Sequence, residues 1–267
     1  MRIGGLALLA LLAGCQQQSK PPAKPPEINF DGARAIGAAA QLAHGERLTH
    51  ALGCRGCHGE KLGGHRFYEA YASNLTRDVS TYNDAEIERV LRTGVPHDGR
   101  DLWGMPSEIF QHLSAADMAA LIVYLRTLKP SGPPDQPLLP FGKEARELIA
   151  KGELKPAAVF VREEGKKAPA DVGPQYALGR YITMVTCAEC HGPELNGDEG
   201  FSPNLVVAGG YTREEFETLL TKGIPSGGRK LKNELMSEVA KERFSHFTPH
   251  ERDALYAYLK ARAERPQ

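Results

Sequence analysis

Cysteine is scarce in this chain: there are five in 267 residues, and four of them fall into two tight pairs. With those pairs set aside only Cys15 remains, so neither a disulfide framework nor a spare nucleophilic thiol can be built. Net charge is missing as well. Lys and Arg number 33 against 33 Asp and Glu, which leaves no basic footprint for nucleic acid. The leading apolar run, Ile3 to Ala13, is too short to span a bilayer. Strand signals are almost absent, and apolar residues recur mostly at helical spacing.

What the chain does have is a five-residue signature that occurs twice, Cys54-Arg55-Gly56-Cys57-His58 and Cys187-Ala188-Glu189-Cys190-His191. Both read C-x-x-C-H, the attachment pattern of a c-type haem. Two thiols three apart on one helical turn suit the two vinyl groups of one porphyrin, and the next residue, His, sits beneath the iron. The competing readings are a redox C-x-x-C and half of a zinc site. No further cysteine pair completes a zinc site, and the signature recurs in matching surroundings. Two covalently bound haem c groups are therefore expected, on Cys54, Cys57, Cys187 and Cys190, with His58 and His191 as iron ligands. Attachment of this kind implies export from a bacterial cytoplasm.

Cys15 has a separate reading. Met1-Arg2, the apolar run and then Leu12-Ala13-Gly14-Cys15 resemble a bacterial lipobox. That implies removal of a signal peptide, residues 1–14, and lipid modification of Cys15. Residues 15–27 form a polar, Pro-rich tether. Gln16 stands where Asp commonly marks retention in the inner membrane, which slightly favours an outer-membrane address on the periplasmic side.

Beyond the tether the chain repeats itself. A first unit, 28–130, and a second, 173–267, flank a Pro-rich linker, 131–172, with a short helix at 142–151. Gly45-x-x-Leu48 answers to Gly179-x-x-Ile182, Ser73-Asn74-Leu75 to Pro203-Asn204-Leu205, and Gly94-Val95-Pro96 to Gly223-Ile224-Pro225. Asn83 or Asp84 caps a helix in the first unit, and Thr212 with Glu215 does so in the second. The last helix of each unit opens at Ser114, with Asp117, and at Thr248-Pro249, with Glu251. Met118, Leu121, Ile122, Leu125 and Leu128 form one apolar stripe. Gly45 and Gly179 are placed to let the first helix of each unit approach the last, near Tyr124 and Tyr258. The stretch 59–81 reads as loop, and His44, His50, His65 and His250 as surface residues. The fold class is all-α.

These residues resemble class I cytochrome c domains in tandem, over 34–130 and 173–264. With Asp84-Ala85-Glu86-Ile87, Arg100-Asp101-Leu102 and Gly104-Met105-Pro106, the first unit looks like the cytochrome subunits of membrane-bound alcohol and sugar-acid dehydrogenases, which carry three haems against the two motifs here. In the family the distal iron ligand is a Met from the irregular stretch before the last helix, which implies Met105 and Met236. Met118 reads as core. His97, His112 and His246 leave a bis-His alternative open. Asn74 and Asn204 are candidates for the haem pocket or for shaping a turn, and Tyr82 and Trp103 for pocket walls.

A filled six-coordinate iron leaves no place for substrate, so the leading function is one-electron relay rather than catalysis. The expected partners are redox proteins (a dehydrogenase, another cytochrome, or a terminal reductase or oxidase), with the membrane reached through the lipid. The alternative is a diheme enzyme, peroxidase-like or sulfur-oxidising, with one haem able to open a coordination position.

Overall fold

The computed structural model describes residues 27–67, 70–134, 142–228 and 234–265. The expected signal peptide, Cys15 and nearly all of the expected tether lie outside the described residues.

The first unit contains α1 (Ala38–Ala51), α2 (Cys54–His58), β1 (Gly63–Phe67), β2 (Ala70–Asn74), α3 (Leu75–Asp78), α4 (Asp84–Thr93), α5 (Ser107–Phe110) and α6 (Ala115–Leu125). Its frame is the crossing of α1 with α6. A Cβ built on Gly45 would lie 2.0 Å from the Ala120 carbonyl oxygen and 2.8 Å from Tyr124 Cβ. Only a glycine lets two helix backbones approach that closely. Ser114 caps α6 by accepting from the Asp117 N–H, and Met118, Leu121, Ile122 and Leu125 are buried on its inner face. Asn83 and Glu86 form a reciprocal capping box on α4, which ends at Gly94 in the left-handed region.

The intervening segment carries α7 (Lys143–Lys151) and a second helix, α8 (Ala157–Glu164). The sequence pattern singled out only the first of these. Helix α8 packs on α4 and α5. The Ala157 N–H donates to the Leu102 carbonyl at 2.7 Å, and Ala157 is buried against Gly94.

The second unit contains α9 (Ala177–Ile182), α10 (Ala188–His191), α11 (Arg213–Lys222), α12 (Leu235–Glu242) and α13 (Pro249–Ala263). The same crossing recurs between α9 and α13, where a Cβ on Gly179 would stand 2.1 Å from the Ala254 carbonyl oxygen. Capping boxes open α11 at Thr212 and Glu215 and α13 at Thr248 and Glu251.

One stretch departs from expectation. Within 59–81, read as loop, β1 and β2 pair antiparallel in the register Gly63↔Asn74 and His65↔Ala72. Hairpin pairing satisfies backbone groups locally, without the alternating apolar residues that betray a strand in sequence. The described chain is otherwise mostly helical.

The two units join through a buried polar seam crossed by the N-terminal strap. Phe30, 2% exposed, has its ring centroid 5.5 Å from that of Tyr181 and 6.0 Å from that of Phe247. Its N–H donates to Asp117, and the next N–H, of Asp31, donates to Glu251. His44, expected on the surface, is buried with its Nε2 2.7 Å from Asp117 Oδ1. His50 is drawn into the seam too, stacked on His246 with ring centroids 4.0 Å apart.

Candidate haem sites

Each motif begins a helical turn straight after a crossing helix. Gly53, at φ 79°, breaks α1 so that α2 can start with Cys54. In the second unit a π-helical stretch, Thr183–Cys187, delivers Cys187 without a break, and α10 carries Cys190 and His191. All four cysteines are half-buried, and Cys54 and Cys187 pack on the apolar core.

Burial pushes the Cys54, Cys187 and Cys190 thiols up to about 11 and Cys57 up to about 12. Reactive redox cysteines and thiolate metal ligands sit in surroundings that lower the pKa. These pockets disfavour a thiolate, whereas a thioether has no proton to lose and suits them. The donor set therefore fits haem attachment.

The histidines fit it as well. His58 Nδ1 lies 2.8 Å from the Ser73 carbonyl oxygen, and His191 Nδ1 lies 2.8 Å from that of Pro203. A backbone carbonyl can only accept, so each Nδ1 carries the proton and each Nε2 carries the lone pair that a metal requires. Burial also lowers the pKa of His191, against the opposing pull of its Pro203 bond, and so favours the neutral ring.

The asparagines that follow these carbonyls hold the loops in shape. Asn74 is fully buried and caps α3 by accepting from the Thr76 N–H. Its amide donates to the Ser131 and Pro133 carbonyls at 2.8 and 2.9 Å. Asn204 caps the 3-10 stretch Leu205–Gly210 and accepts from Arg262 at 3.1 Å. Tyr82 is half-buried, its ring centroid 4.3 Å from that of exposed His97. Trp103, also half-buried, pairs through its backbone with Pro156.

Met105 and Met236 are both partly buried and packed against the core that also receives Cys54 and Cys187. Met105 lies in the irregular stretch between Gly104 and α5, as expected. Met236 instead lies in the first turn of α12, a helix for which the second unit had shown no clear sequence pattern. Met118 is core, 1% exposed. Met184 lines a cavity of about 280 Å³ at the seam, together with His112, Arg180 and Tyr181.

Three polar residues near the motifs carry no signal of their role in the sequence pattern. Arg243 Nη1 pairs with Glu189 Oε2 at 2.7 Å. Arg243 Nη2 is buried with no hydrogen-bond partner among the described residues, as is Glu108 Oε2. Burial raises the Glu108 carboxyl to about 7. Glu189 stands in plain view inside a motif, but nothing in the surrounding residues marks Arg243 or Glu108.

The sequence profile of the cytochrome c family matches residues 42–129 and 176–263. Over 190 residues, 63% of this chain, the protein is 30% identical to a nicotinate dehydrogenase subunit of Pseudomonas putida, but that match covers 16% of the relative. It is 27% identical over 239 residues to a diheme cytochrome c-type protein of Cereibacter sphaeroides, covering 80% of this chain and 76% of that one. A fructose dehydrogenase cytochrome subunit of Gluconobacter japonicus is 27% identical over 209 residues, 70% of this chain and 40% of the relative.

Proposed function

This chain belongs to the cytochrome c family and carries two covalently bound haem c groups, and on that premise we propose that it relays single electrons from a dehydrogenase partner without catalysing a reaction of its own. When bound, each haem supplies reversible one-electron iron chemistry. Cys54 and Cys57 hold one haem and Cys187 and Cys190 the other. His58 and His191, oriented by Ser73 and Pro203, would each offer Nε2 to an iron, and Met105 and Met236 would supply its second protein ligand. With both protein ligands in place the iron would have no position open to substrate, so it would serve one-electron transfer.

The observation that carries this reading is the doubled histidine anchor: two motifs, in units of different loop structure, each with Nδ1 on a carbonyl 2.8 Å away. Three further points rest on sequence and on relatives. The partner is a dehydrogenase, because two relatives are named as dehydrogenase subunits. The protein works on the periplasmic side of a bacterial membrane, and a lipid on Cys15 tethers it there.

Optical and electron paramagnetic resonance spectra of both redox states test the proposal. Two low-spin, six-coordinate haems are expected. A high-spin haem in the oxidised protein would overturn the relay and favour a diheme enzyme with one open iron position.

A further inference from the structure

Arg243 belongs to the second unit, yet its guanidinium lies against the threshold of the first unit's motif. A Cβ on Gly53, the residue before Cys54, would fall 2.6 Å from Arg243 Cζ and 2.9 Å from its Nη1. Arg243 Nε points to the Ala51 carbonyl oxygen at 3.4 Å. On the other side Nη1 meets Glu189, which stands inside the second motif between Cys187 and Cys190. One cation thus bridges the start of one C-x-x-C-H turn and the middle of the other.

It is also well shielded from water. The Arg243 side chain is 12% exposed and that of Glu189 26%. Charges in such surroundings act at several times the strength they have in bulk water.

We propose that the partly buried Arg243–Glu189 pair is an electrostatic element shared by the two haem sites, setting both reduction potentials together from the seam between the units. Ferric haem carries one more positive charge than ferrous haem. Arg243 therefore favours the reduced state at both sites, and Glu189 opposes it. Because the pair sits between the motifs, a change in either charge is felt by both haems. This inference rests on the diheme relay, which the spin-state spectra of the unmodified protein judge independently.

The test is a potentiometric titration of the full-length, haem-loaded protein, followed optically and fitted to two one-electron midpoints. Arg243→Met removes the cation and leaves Glu189 unpaired, so both midpoints should fall. Glu189→Gln should raise both. Each shift is expected to reach tenfold in the ratio of reduced to oxidised haem at fixed potential, about 59 mV for one electron. Arg243→Lys keeps the charge and should stay near the unmodified protein, and the Arg243→Met, Glu189→Gln double variant should lie closer to it than either single variant. A shift confined to one haem would overturn the proposal. So would an Arg243→Lys shift as large as that of Arg243→Met, because packing rather than charge would then be responsible. Should Arg243→Met fail to fold, Glu189→Gln decides: a rise at both haems supports the shared element, and no rise overturns it.

Discussion

Asp117 and Glu251 occupy the same position of the repeat, the third residue of the last helix, and consecutive backbone N–H groups of one strap reach both: Phe30 donates to Asp117 at 3.0 Å and Asp31 to Glu251 at 2.8 Å. The correspondence continues across the seam. Arg47 and Tyr181 stand two residues after Gly45 and Gly179. Arg47 of the first unit pairs with Glu251 of the second at 2.7 Å, and the Tyr181 hydroxyl of the second donates to Asp117 of the first at 2.7 Å. Both carboxylates are fully buried. Buried charges of this kind persist only where their hydrogen bonds are made.

The strap should therefore hold the two units in one cooperative fold. Phe30→Ala leaves a cavity between Tyr181 and Phe247 and is expected to cost about 3–5 kcal/mol. Denaturant unfolding of the loaded protein measures it. Deleting residues 27–33 should split one transition into two, and unchanged stability in both variants would contradict the role of the strap.

At the helix crossings, Gly45→Ala and Gly179→Ala should each force the paired backbones apart. The Cβ positions 2.0 and 2.1 Å from carbonyl oxygens put these changes at or above the roughly 1–3 kcal/mol typical of overpacking. Gly210→Ala, at an exposed position with open space around its Cβ, is the control and should unfold near the unmodified protein.

Distal ligation by Met105 and Met236 predicts two separable losses. Each Met→Ala change should remove one haem's share of the weak red band of oxidised Met-ligated haem and lower that haem's potential. Met118→Ala should keep the band and cost about 2–5 kcal/mol of stability, since Met118 is 1% exposed. An unchanged spectrum in either ligand variant would remove that Met from the iron and turn attention to His97, His112 and His246.

Glu108 should leave a mark on the pH dependence of stability. Burial raises its carboxyl from 4.5 to about 7, so the folded protein holds this proton more tightly than the unfolded chain. Its contribution is complete below 4.5 and is lost as pH rises through 7. Relative to Glu108→Gln, the unmodified protein should lose on the order of 2–3 kcal/mol between about pH 4 and 8. Parallel stability curves for the two proteins would refute the shift.

Lipid attachment makes a simpler forecast. Cys15→Ala should move the protein from the membrane pellet to the soluble fraction, and retention in the pellet would exclude the anchor.

Several features were legible in the sequence because their physics is local. The C-x-x-C-H turns, the capping residues Asn83, Thr212 and Thr248 and the stripe around Met118 depend on neighbours within a turn or two, whereas the crossing glycines, whose partners Ala120 and Ala254 are distant in sequence, showed only through the repeat. Repetition then supplied the tandem helical architecture. The β1–β2 hairpin was hidden because it is held mainly by backbone pairing, which leaves little side-chain pattern to read.

What only the tertiary structure decided is how the two units meet. His44 and His50 read as surface residues on an isolated helix, yet Asp117 from a distant segment buries His44 and His246 partly covers His50. Arg243 carries no motif and gains its meaning from Gly53 and Glu189, one near in space from the other unit and the other inside the second motif. Sequence alone determined the two turns on which haem attachment rests, since thioether spacing and histidine adjacency are chemical requirements of one short turn. The electrostatic setting of those turns arises from charges brought together across the seam, and their separation along the chain conceals that relation until the chain is folded.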